Sequence, residues 1–137
     1  MYPEEIVIPM KEELTENGFT ELLSKDDVQN VLKEDGTTLV VINSVCGCSA
    51  GTARPGVIMA VNNHNKIPNR LTTSFAGFDE EAVQNLREHL KPYPPSSPSI
   101  ALFKNGQLVH FIERHNIEGR SAQMIANNLT AAFEEYC

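Results

Sequence analysis

Cys46 and Cys48, with only Gly47 between them, are the side chains in this sequence best suited to chemistry. The thiolate, not the thiol, attacks disulfides and binds metals, so the question is what around the pair favours deprotonation. The cysteines follow the run Thr37-Thr38-Leu39-Val40-Val41-Ile42 and precede a segment that reads as a helix from about Ser49 to Asn63. In open α/β sheets, ligands and chemistry gather just beyond the carboxyl ends of strands. The first turn of a helix adds unpaired N–H groups and the positive end of the helix dipole, and both favour a thiolate. A free cysteine has a pKa of about 8.5, which falls to roughly 3.5–7.5 at helix N-termini. Gly47 lets the backbone bend. A disulfide across one residue closes a very small ring, which points to a strained, readily reduced bond suited to turnover and worth little as a staple.

Two other uses of the pair compete with this one. They could be incidental buried cysteines, or half of a metal site. A metal reading needs more donors, and His64, His89, His110 and His115 fall at no recognisable ligand spacing. Among other polar residues, Arg54 reads as a solvated helix-face arginine before it reads as a cation for a carboxylate-bearing thiol ligand. Arg114 and His115 read as loop residues before active-site rim. Cys137, at the last position, reads as a bystander thiol.

The elements that must position the cysteines follow from periodicity and turn residues. Ile6, Val7, Met10 and Leu14 recur at helical spacing, with Asn17-Gly18 as a stop. Ser24, with Asp27 three residues on, caps a second helix through Val28, Val31 and Leu32. The β-branched run at 37–42 is the signature of a strand covered on both faces. Pro55 fits only the first turns of the helix behind the cysteines. Leu71–Phe75 reads as a strand, and Asp79 opens a helix containing Ala82, Val83, Leu86 and Leu90. Ser99–Phe103 and Leu108–Ile112 form a hairpin around Asn105-Gly106. A last helix runs from about Ile117 to the end. The order α-α-β-α-β-α-β-β-α fits an α/β fold of one domain, 1–137, with a central mixed sheet and helices on both faces.

Composition excludes several classes. A net charge of -7 and a pI near 5.0 argue against nucleic acid or anionic membrane as partner, since both need a cationic footprint. The acidic start, Met1-Tyr2-Pro3-Glu4-Glu5, lacks a basic stretch followed by an apolar run. The apolar-rich stretch Leu39–Val45 is too short to span a bilayer. These features predict a cytoplasmic protein with reduced thiols.

Pro98 is the second signal. It stands between the Pro-rich loop Lys91–Ser97 and the strand Ser99–Phe103, where a trans proline is the ordinary expectation and a cis bond would leave neighbouring backbone free to meet an extended substrate. The segment Ser97-Pro98-Ser99-Ile100-Ala101-Leu102-Phe103-Lys104-Asn105-Gly106-Gln107-Leu108-Val109 is similar to the thioredoxin segment that carries the cis-proline and its hairpin. The departure is at the cysteines: Cys46-Gly47-Cys48 stands where thioredoxins have Trp-Cys-Gly-Pro-Cys, and the chain has no Trp.

With that motif the sequence resembles the bacilliredoxins, bacterial proteins with a Cys-Gly-Cys active site. The similarity runs through Ile8-Pro9-Met10, Glu13-Leu14-Thr15, Val41–Cys48 with Ala50-Gly51, Ala53-Arg54-Pro55 and Phe75-Ala76-Gly77. It continues through Pro95–Ser99, His110-Phe111-Ile112, Arg114-His115, Ile117-Glu118-Gly119 and Asn128–Phe133. The resemblance implies a thioredoxin-like fold with an extra N-terminal helix, and removal of bacillithiol from mixed disulfides on oxidised client proteins. Cys46 would attack, Cys48 would resolve, and Pro98 would position the substrate. No cofactor would be bound; bacillithiol would be a low-molecular-weight thiol co-substrate. General protein disulfide reduction or isomerisation is the alternative, because the cysteine chemistry is shared and only the leaving group differs.

Overall fold

A computed structural model describes residues 1–137, and the β-branched run lies at its centre. Thr37–Asn43 (β2) is buried at every position. Its side chains alternate between two cores, as strand geometry requires. Leu39 and Val41 pack with Ile100, Leu102 and Ile112 on one face, while Val40 and Ile42 pack with Ala101 and Phe103 on the other.

β2 pairs in parallel with Arg70–Phe75 (β3) and antiparallel with Ser99–Lys104 (β4). Thr20–Glu21 (β1) adds to β3, and Gln107–Ile112 (β5) adds to β4, giving the order β1-β3-β2-β4-β5. Lys25–Lys33 (α2) and Glu80–His89 (α4) cover the Val40 face through Val28, Leu32, Val83 and Leu86. Glu4–Thr15 (α1), Arg54–Asn62 (α3) and Ala122–Tyr136 (α6) cover the other through Leu14, Val57, Ala60, Leu129 and Phe133. The mixed sheet, the helices on both faces and the extra N-terminal helix are as the sequence predicts. Ser24 caps α2 by accepting from the Asp27 N–H at 3.1 Å. Asn105 and Gly106, at φ 52° and 78°, make the predicted hairpin turn.

Three expectations are corrected. β1 is an additional strand; it is two polar residues held by pairing with Thr72 and Thr73, with no apolar alternation to reveal it. The last helix is not continuous from Ile117. Arg114–Ile117 (α5) is a separate turn, Gly119 takes φ 75°, and Ser121 caps a new helix by accepting from Met124 N–H. In α1 only Val7 and Leu14 are buried, while Ile6 is 47% exposed. Pro55 stands in the first turn of α3, as expected, although helical turns starting at Gly47 precede it. A π-helical turn over Ser49–Ala53, with the Arg54 N–H bonding the Ser49 carbonyl, widens the helix just before that proline. A proline ring would crowd the carbonyl of a tight α turn, and the wider turn relieves it.

Sheet register sets the active edge. Ile42 lies opposite both Ser74 of β3 and Ser99 of β4. The carboxyl end of β2, which leads to Cys46, therefore shares an edge with the start of β4, which follows Pro98.

Candidate active site

Past β2 the chain turns through Ser44 and Val45 into a helix whose first carbonyl belongs to Cys46. That carbonyl accepts from the Ser49 N–H at 2.9 Å and the Ala50 N–H at 3.2 Å, so Cys46 occupies the cap position. Its own N–H donates to Ser44 Oγ at 3.2 Å. The Cys48 N–H points at Cys46 Sγ, 3.4 Å away. Both thiols are free and half-buried.

The two sulfurs are electrostatically unequal. Cys46 is held below the ordinary thiol range, first by a hydrogen bond from the Cys48 thiol, then by the Cys48 and Ser49 N–H groups and the charge of Arg114, against some burial. Cys48 is pushed up, first by burial, then by its hydrogen bond to Cys46, the Cys46 charge and the more distant Glu118. Of the two, Cys46 is therefore the more readily deprotonated and Cys48 the more firmly protonated.

Arg114 and Arg54 are both placed differently from expectation. Arg114 is part of the site rim: its Nη1 donates to the Ser97 carbonyl at 3.3 Å, its Nε pairs with Glu118 at 3.0 Å, and its charge reaches both thiols. Arg54 is neither a solvated helix-face residue nor a free cation for a ligand. It is 2% exposed. Its Nη1 donates to Asn43 Oδ1, the Ser44 carbonyl and Ser49 Oγ, and its Nε pairs with Glu13. A buried arginine needs acceptors, and Asn43 and Ser44, just past the apolar run Leu39–Ile42, supply them together with Ser49.

Pro98 stands at this same edge, and its peptide bond with Ser97 is cis; Lys91–Pro92 is cis as well. His115 is exposed, with its ring 3.7 Å from Glu113. Cys137 lies at the far end. α6 begins beside the cysteine helix, where Thr52 Oγ1 donates to the Arg120 carbonyl, and its 15 residues carry the chain about 22 Å away. No group of three or more His, Cys, Asp or Glu side chains is arranged to hold a metal ion, and no helix is long and apolar enough to cross a membrane.

Solved structures with the same architecture include thioredoxins. Mitochondrial thioredoxin 3 of Saccharomyces cerevisiae superposes with a TM-score of 0.59 at 15% identity, covering 90% of this chain and 98% of that one. A mutant thioredoxin from Halobacterium salinarum gives 0.59 at 14% identity, covering 88% and 91%. Unequal thiols opening a helix at the edge of this sheet define a thiol–disulfide oxidoreductase of the thioredoxin fold. A sequence profile described as disulphide isomerase matches residues 2–137. A bacilliredoxin of Cytophaga hutchinsonii is 58% identical over 135 residues, 98% of this chain and 99% of that protein. One from Halalkalibacterium halodurans is 50% identical over 137 residues, 99% of this chain and 94% of its own. The chain belongs to the bacilliredoxin family.

Proposed function

We propose that the chain removes bacillithiol from S-bacillithiolated proteins. The observation that carries this reading is the inequality of the two thiols, Cys46 shifted down and Cys48 shifted up, at the start of one helix in a chain so similar to bacilliredoxins along its whole length. The Cys46 thiolate attacks the bacillithiol sulfur of the mixed disulfide. A Cys46–bacillithiol disulfide forms, the S–S bond between bacillithiol and the client cysteine breaks, and the client leaves as a thiolate that takes a proton from solvent. Cys48 then gives up its proton and attacks the Cys46 sulfur, expelling bacillithiol and closing Cys46–Cys48; alternatively, free bacillithiol resolves the adduct. A two-electron thiol reductant returns the disulfide to the dithiol.

Pro98, at the mouth of β4, is the residue in this reading that sets the backbone against which a client segment lies. Bacillithiol enters as co-substrate and no bound cofactor takes part. The need for a reduced thiol pool places the reaction in the cytoplasm. The disulphide isomerase description of the matching profile favours protein disulfides as the second reading.

De-thiolation of a bacillithiol-capped model protein tests the choice, with a glutathione-capped control. Expected are turnover that prefers the bacillithiol adduct, loss in Cys46→Ala, and partial retention in Cys48→Ala when free bacillithiol is present. Reduction of protein disulfides without turnover of either capped protein supports the second reading instead.

A further inference from the structure

Arg54 is the largest of the fully buried side chains, and the thiol chemistry does not use it directly. A guanidinium is always charged and has five N–H donors, so burying it demands acceptors. Besides Glu13 of α1, the three it finds belong to the segment that carries the cysteines. One is the Ser44 carbonyl at 2.9 Å, two residues before Cys46. Another is Ser49 Oγ at 3.0 Å, one residue after Cys48. The third, Asn43 Oδ1 at 2.9 Å, also accepts from the Ser44 N–H and from Ser49 Oγ, each at 2.9 Å. Asn43 is tied to α1 through its own amide, which donates to the Met10 carbonyl at 3.1 Å.

The cysteine turn is therefore clamped from beneath at both ends, with Cys46, Gly47 and Cys48 suspended between Ser44 and Ser49. Above the clamp the Cys48 N–H is directed at Cys46 Sγ, while the Ser49 N–H bonds the Cys46 carbonyl and also helps lower the Cys46 thiol. We propose that Arg54 is a positioning residue for the thiol pair: by holding the Ser44 carbonyl and the Ser49 hydroxyl from the buried side, it fixes the backbone N–H groups that face the Cys46 sulfur. Preorganised donors stabilise a charge without reorganising when it forms, whereas a loose turn must order itself each time. Lysine keeps the charge at this position but has one compact head instead of a planar fork, so it cannot reach Glu13 and the cysteine turn together.

The test reads Cys46 without reference to any substrate, so its failure is separable from failure of the bacillithiol reading. The pH dependence of Cys46 alkylation is followed by peptide mass spectrometry in the Cys137→Ser background, for Arg54→Lys, Ser49→Ala and Leu129→Ala. Leu129 is fully buried in the α6 core and belongs to no contact of the clamp, so its truncation lowers stability alone. The other charged or titratable groups acting on Cys46 (Cys48, Arg114 and, through Arg114, Glu118) stay constant throughout. Expected is an upward shift of the alkylation midpoint of about one pH unit in Arg54→Lys. A smaller upward shift is expected in Ser49→Ala, and none in Leu129→Ala. Should Arg54→Lys fail to fold, Ser49→Ala carries the test. Unmoved midpoints in the folded clamp variants, or a shift in Leu129→Ala as large as theirs, would overturn the proposal.

Discussion

The backbone N–H of Cys48 faces Cys46 Sγ at 3.4 Å, so the residue that supplies the second thiol also supplies a donor to the first. The Cys48 thiol is the largest influence lowering Cys46, and the Cys46 charge in turn helps raise Cys48. Cys48 therefore acts on Cys46 through both its thiol and its backbone, apart from any resolving step the proposed reaction gives it.

That dual role separates two substitutions. Cys48→Ala removes the thiol donor and leaves the N–H, so the pH profile of Cys46 alkylation moves up. Cys48→Ser keeps an O–H donor and moves it less. Because Cys46 starts below the ordinary thiol range, the wild-type profile reaches its plateau at lower pH than either variant. Alkylation rates across pH 5–10 check the order. A Cys48→Ala profile at or below wild type contradicts it.

Arg114 contributes charge to Cys46 from an exposed position, which makes its effect small and open to screening. Arg114→Gln should slow Cys46 alkylation at pH 6, in the same direction as Cys48→Ala but by less. The gap from wild type should close as ionic strength rises from about 0.01 to 1 M, over which the Debye length falls from about 30 to 3 Å. A gap that persists at high salt would mean that Arg114 acts by shaping the Ser97–Pro98 loop, which its guanidinium holds through the Ser97 carbonyl.

Gly56 lets α3 and α6 approach closely. A Cβ there would lie 2.8 Å from Ile125 Cβ and Cγ2 and 3.1 Å from the Ala122 carbonyl oxygen. Gly56→Ala should lower the unfolding free energy by about 1–3 kcal/mol in a denaturant titration, despite the better helix propensity of alanine. A neutral or stabilising result would show that α6 shifts without loss.

The sequence exposes the parts of this design that are local. A β-branched run, an Asn-Gly turn and a Ser cap each act through neighbours a few residues away, and all three formed as read. The cysteine pair was legible because its position at a strand–helix junction already implies unpaired donors. Arg54 was not, because the residues that bury it come from α1, β2 and the π turn, with Glu13 separated from it by 41 residues. For the same reason neither arginine stands where the sequence alone places it. The one nearer in sequence to the cysteines is sealed beneath them, and Arg114, from beyond the last strand, reaches the thiols. β1 was hidden for a different reason: two polar edge residues have no hydrophobic period to detect.

The most direct test of Cys46 as the acceptor of bacillithiol is to trap the first intermediate. Cys48→Ser protein in the Cys137→Ser background, mixed with a bacillithiol-capped client and without free thiol, should acquire one bacillithiol, mapped to Cys46 by peptide mass spectrometry, as the client appears in its reduced form. A covalent client–Cys46 disulfide with release of bacillithiol, or a client that keeps its cap while Cys46 stays free, would contradict it.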